Sequence, residues 1–115
     1  MKNFVGSRIN IWIAVLENEL KTRQYSLLLE DSQLALSLYP EQAYVYLMHG
    51  IALNSFRKYR EAIKVLDDGI EWIADDPIME AKFYENLSLA NKALGENIKA
   101  TEYYNKMIEL KDGQK

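Results

Sequence analysis

Apolar residues return every three or four positions along almost the whole chain. From Tyr59 onward, Ala62, Ile63, Leu66, Ile70 and Ile73 form one such stripe, the spacing that keeps side chains on one face of an α-helix. Tyr46, Ile51, Ala52 and Leu53 recur at helical offsets between Pro40 and Pro77. No segment sustains the apolar–polar alternation of a strand, and no low-complexity linker divides the chain. The pattern predicts six helices, near 8–22, 25–38, 41–55, 59–74, 77–94 and 97–110. Asp76-Pro77 is a good helix start: Asp is a favoured N-cap, and Pro at the first helical position needs no N–H partner. Ser7 is expected to cap the first helix in the same way. Gly95 falls between the last two helices, where a left-handed residue ends a helix at little steric cost.

The pattern also repeats, and repeats decide how everything else is read. Pro40 and Pro77 each close an apolar-periodic block, 37 residues apart (77 − 40 = 37). Tyr46-x-x-x-Gly50-x-Ala52 is echoed by Tyr84-x-x-x-Ser88-x-Ala90, with Ala62 and Ala100 following at the same offset. In the first block Trp12 stands for the aromatic, and Ala35-x-x-x-x-Pro40 supplies the ending. Blocks starting at Ile9, Ala43 and Ala81 have periods of 34 and 38 (43 − 9 and 81 − 43). Trp12, Tyr25, Ala35 and Pro40, then Tyr46, Gly50, Ala52, Tyr59 and Ala62, then Tyr84, Leu87, Ala90, Gly95, Ala100 and Tyr104 resemble the tetratricopeptide (TPR) repeat. That pattern carries an aromatic, Leu-Gly, a second aromatic, Ala, an aromatic, Ala and Pro. The chain departs from it at Leu16, Leu28, Leu66, Gly69, Ser88 and Met107. The middle repeat is also similar to one found in longer bacterial TPR proteins of many tandem repeats.

The resemblance implies an all-α fold: a right-handed α-solenoid of three TPR helix–turn–helix pairs. It makes the chain a single domain over 1–115, with repeats at about 9–42, 43–80 and 81–114. The four extra residues of the second repeat are expected to lengthen the helix that starts at Tyr59 by about one turn.

Composition narrows the chemistry. The 115 residues carry 14 Lys+Arg against 17 Asp+Glu, so a net charge of −3 argues against non-specific nucleic-acid binding. With no Cys, disulfides, thiolate zinc sites and a cysteine nucleophile are excluded; with one His, so is a paired-His metal site. The apolar runs are short, which argues against membrane insertion. The chain start lacks the apolar stretch of a signal peptide, so a cytoplasmic setting is expected, or a periplasmic one for a piece of a longer protein. The lone imidazole, His49, reads as a packing residue in preference to a general base. Glu30-Asp31, Asp67-Asp68 and Asp75-Asp76 lack the spacing of a calcium loop. The scattered glycines make no phosphate loop. No cofactor and no enzymatic activity are expected.

The remaining expectation is a protein or peptide partner. In TPR proteins the first helix of each repeat lines a concave groove, and the resemblance places Asn10, Ile13, Glu17 and Leu20, then Tyr44, Leu47, Ile51 and Asn54, then Lys82, Glu85, Leu89 and Lys92 there. Tyr44, Leu47 and Ile51 are the expected apolar centre, with charges at the ends. The TPR clamp for chaperone C-termini is not matched: of Ile13, Glu17, Met48, Lys82 and Asn86 only Lys82 fits, and Glu17 would repel a carboxylate. A non-catalytic interaction module is the leading reading, and a small TPR-type chaperone for a secretion or assembly substrate the alternative. In the last helix Tyr103, Ile108 and Leu110 are expected to be uncovered and available for self-association.

Overall fold

The computed structural model describes residues 2–113, with side chains from Arg8 onward. Its regular structure in that range is entirely helical: α1 (Lys2–Lys21), α2 (Tyr25–Leu38), α3 (Ala43–Ser55), α4 (Tyr59–Ile70), α5 (Pro77–Ala93) and α6 (Asn97–Asp112). Short turns join α1 to α2, α3 to α4 and α5 to α6, so each pair doubles back on itself. α3 packs on α2 and α5 on α4, while α1, α3 and α5 touch in succession along one side of the stack. A radius of gyration of 14.2 Å and extents of 46 × 32 × 24 Å describe a slightly elongated solenoid, against about 13 Å for a globule of this length. α1 is already helical at Ser7, so this position is not its cap.

One turn design joins the members of each pair. Arg23, Arg57 and Gly95 have φ of 59°, 62° and 81°. In each turn the following N–H reaches back to a helix carbonyl: Gln24 to Glu19 at 2.8 Å, Lys58 to Leu53 at 2.9 Å and Glu96 to Asn91 at 2.9 Å. These are Schellman closures, which satisfy carbonyls that the helix end leaves open. Only one of the three left-handed positions carries glycine.

The stack depends on close approaches at α4. A Cβ added to Gly50 would lie 2.6 Å from Leu66 Cγ, and one added to Gly69 would run into Tyr46 Cβ and sit 3.2 Å from Phe83 Cε1. The two departures at Leu66 and Gly69 are thus matched to each other: α4 gives up an aromatic and a methyl, and lies directly against α3 and α5. Ala52, Ala62, Ala90 and Ala100 are buried as expected, and Trp12, Tyr46 and Tyr84 are half-buried against the core.

The extra residues after α4 correct the expected helix. α4 ends at Ile70, and residues 71–76 form a connection instead of another turn. Trp72 and Ile73 amides bond to Gly69 and Ile70 carbonyls, closing the helix. Asp75 then takes φ 46°, and Asp76 accepts a hydrogen bond from the Met79 amide at 3.0 Å ahead of Pro77. The left-handed backbone at Asp75 and the non-helical cap at Asp76 then set the start of α5.

Position in the stack governs what is exposed. Ile11, Val45 and Phe83 occupy equivalent places on α1, α3 and α5. Val45 and Phe83 are fully buried against the preceding pair, whereas Ile11 is 63% exposed. Tyr104, expected in the packing, is 52% exposed although its counterpart Leu66 is fully buried and faces Gly50 of α3; no described helix follows α6. Tyr103 runs the other way. It stacks on Tyr84 with ring centroids 5.9 Å apart, and Lys106 Nζ lies over both rings at 5.5 and 5.6 Å. Its own chain therefore covers the residue expected to need another.

Gly69→Ala should lower unfolding stability by about 1–3 kcal/mol despite the better helix propensity of Ala, because Tyr46 cannot retreat. An unchanged urea midpoint would show that α3 and α4 are not this closely packed. Gly95→Ala meets nothing within 4 Å, so its loss, about 1 kcal/mol, should come from backbone strain alone. Arg57→Gly should raise the melting temperature.

Candidate partner-binding groove

The side of the stack lined by α1, α3 and α5 holds a groove of about 350 Å³, bounded by Ile13, Glu17, Glu41, Gln42, Ala43, Tyr44, Trp72, Ile73, Ala74, Asp76 and Met79. α1 supplies Ile13 and Glu17, four residues apart and hence on one face. Tyr44 comes from the first turn of α3. Burial, followed by the nearby Glu17 carboxylate, pushes its ionisation well above the usual tyrosine range, so the side chain is a neutral phenol. The connection 71–76 folds beneath, bringing Trp72, whose side chain is 44% exposed, and half-buried Ile73. Every charged residue in this lining is a carboxylate.

The expected groove residues divide. Ile13, Glu17 and Tyr44 come together here. Leu47, the expected centre, is only 1% exposed and belongs to the core, so Leu47→Lys would probe packing instead of binding. Ile51 is half-buried against that core. Asn54 is 8% exposed and donates to the Asn86 carbonyl at 3.2 Å, tying α3 to α5. Lys82 and Glu85 line a separate cleft of about 170 Å³ with Pro77, Ile78, Ala81, Leu110 and Lys111, so Leu110 is partly covered by α5. Leu89 is 48% exposed and Ile108 36%. Trp72, Ile73, Met79, Glu41 and Asp76 were not expected in the groove. A continued helix over 71–74 would have carried Trp72 away, and the capping signal at Asp76-Pro77 was the one available warning.

Two buried polar pairs lie elsewhere. His49 Nδ1 is 2.8 Å from Ser32 Oγ, with His49 8% and Ser32 0% exposed. No incoming group can reach that hydroxyl, so the pair links α2 to α3. Burial lowers the His49 pKa, partly opposed by Glu61. Glu19, 6% exposed, meets Asp31 across α1 and α2; burial, then the hydrogen bond and charge of Asp31, push its carboxyl up to about 7. Its Oε1 has no hydrogen-bond partner. Among the described residues no group of three or more His, Cys, Asp or Glu is placed to hold a metal, and no helix is long and apolar enough to cross a membrane.

No family model and no curated protein match the chain. Among solved structures it superposes on the MamA RS-1 ArsTM double mutant, a TPR-like protein, with TM-score 0.69 at 24% identity over 84% of the chain. The chain has a TPR-type helical-repeat fold. It spans about half, 52%, of the length of that TPR-like protein.

The two buried pairs give opposite pH dependences. A folded pKa raised from 4.5 to about 7 makes Glu19 stabilising when protonated, an advantage complete below about pH 4.5 and lost as pH rises to about 7. Glu19→Gln should therefore be more stable than the parent at pH 8, with the difference vanishing near pH 4. His49, its pKa lowered from 6.5, contributes fully above pH 6.5, and its contribution falls as pH drops below that value. His49→Leu should remove that acid-side loss. Chemical denaturation across pH checks both.

Proposed function

We propose that this chain is a non-catalytic interaction scaffold that holds a partner segment in the groove between α1, α3 and the 71–76 connection. The observation that supports this most directly is that the exposed indole of Trp72 and the half-buried Tyr44 line one groove with apolar Ile13, Ile73 and Met79. Aromatic side chains of this kind are the usual energetic anchors of protein interfaces. A rigid stack needs no reorganisation to receive an extended chain. The buried Ser32–His49 pair has no opening to the groove, so the site offers shape and surface and no nucleophile.

Affinity capture from the native extract with the parent and with Tyr44→Ala/Trp72→Ala tests the reading. Losing two anchors should cut partner recovery by roughly tenfold or more, while far-UV circular dichroism stays unchanged. Full recovery by a folded double variant would move binding to another face.

A further inference from the structure

Building on the scaffold reading, the geometry points to a basic, extended peptide segment as the occupant of the groove, with an Arg or Lys side chain lodged between Trp72, Tyr44 and the carboxylates of Glu17, Glu41 and Asp76. The lining is one-sided in charge: Glu17, Glu41 and Asp76 are its only ionisable carboxylates, and no Lys or Arg borders it. The aromatics give that charge a shape. A guanidinium or ammonium over an indole or phenol face is attracted by the ring's electron density, and Trp72 keeps nearly half of its surface free for such contact. Tyr44 adds a second, half-buried aromatic ring beside the Glu17 carboxylate.

Among the described residues no Lys or Arg pairs with these carboxylates; the Lys64–Asp68 ion pair lies elsewhere, on exposed α4. Asp76 accepts from the Met79 amide at 3.0 Å, and Glu17 lies near the neutral Tyr44 phenol. Both partners are uncharged, so the negative field of the groove persists. Beside the cation subsite, Ile13, Ile73 and Met79 make an apolar strip that fits an aliphatic side chain one or two residues along. An acidic or phosphorylated segment would meet three like charges. The other cleft, bordered by Lys82 and Lys111 as well as Glu85, lacks this bias.

The test uses three dye-labelled peptides on the full chain: one alternating Arg and Leu, one alternating Ser and Leu, and one alternating Glu and Leu. Fluorescence anisotropy should show the Arg peptide binding roughly tenfold or more tighter than the Ser peptide, with the advantage shrinking as salt is raised, and no binding of the Glu peptide. Glu41→Lys, at an exposed position, should remove the Arg advantage and leave the Ser peptide unaffected. Trp72→Ala should weaken both. Equal binding of all three peptides, still weakened by Trp72→Ala, would overturn the charge preference and leave the scaffold reading intact. Arg-peptide binding that ignores both substitutions, or no binding of the Arg peptide, would overturn the inference, with partner capture deciding the scaffold reading separately.

Discussion

The fold turns on how closely α4 lies against its two neighbours. Helices normally pack 8–10 Å apart, at distances set by the side chains between them. At Gly50 and Gly69 one partner has no side chain, and the facing Leu66, Tyr46 and Phe83 fill the space. α4 is thereby locked to α3 within its pair and to α5 in the next. Phe83, with no exposed surface, sits at this joint.

The groove is a consequence of that joint and of a change in spacing. The turns inside each pair share one Schellman geometry, at Arg23, Arg57 and Gly95. The connection between the second and third pairs does not follow that geometry. Its extra residues leave the helix after Ile70, and Asp76 is committed to capping α5. The chain between them must cross under the stack, and it carries Trp72 and Ile73 to the concave side. An insertion that is neutral for stacking thus supplies the part of the groove that the repeat itself does not encode.

Buried polar groups act on the stack more than on the groove. Glu19 and Asp31 hold α1 to α2 through a carboxyl that burial and a neighbouring acid keep protonated up to about pH 7. Ser32 and His49 hold α2 to α3 through a neutral imidazole. Burial favours the neutral form of both groups, which is reached at acid pH for Glu19 and at alkaline pH for His49. The contacts around α2 are therefore pH-responsive.

Much of the architecture was legible in the residues. Helical periodicity, the Asp76-Pro77 start, Gly95 and the recurrence of Ala52, Ala62, Ala90 and Ala100 depend on local backbone chemistry and on repetition, both visible in one dimension. The resemblance to the TPR pattern grouped Ile13, Glu17 and Tyr44, which line one groove. It failed where the answer depended on a neighbouring helix. Leu47 and Asn54 stand at groove positions of the repeat, yet α3 is flanked on both sides, and packing against neighbours buries them. Tyr104 and Leu66 stand at equivalent positions with opposite exposure; α5 follows the pair that holds Leu66, and no described helix follows α6. Tyr103 found Tyr84, a contact between two helices that spacing along the chain does not reveal. That the extra residues leave the helix after Ile70 was likewise not legible in the spacing. The sequence by itself determined the helices and their repetition, because these need only nearby residues; the tertiary structure decided which faces stay open, because burial depends on what lies across from them.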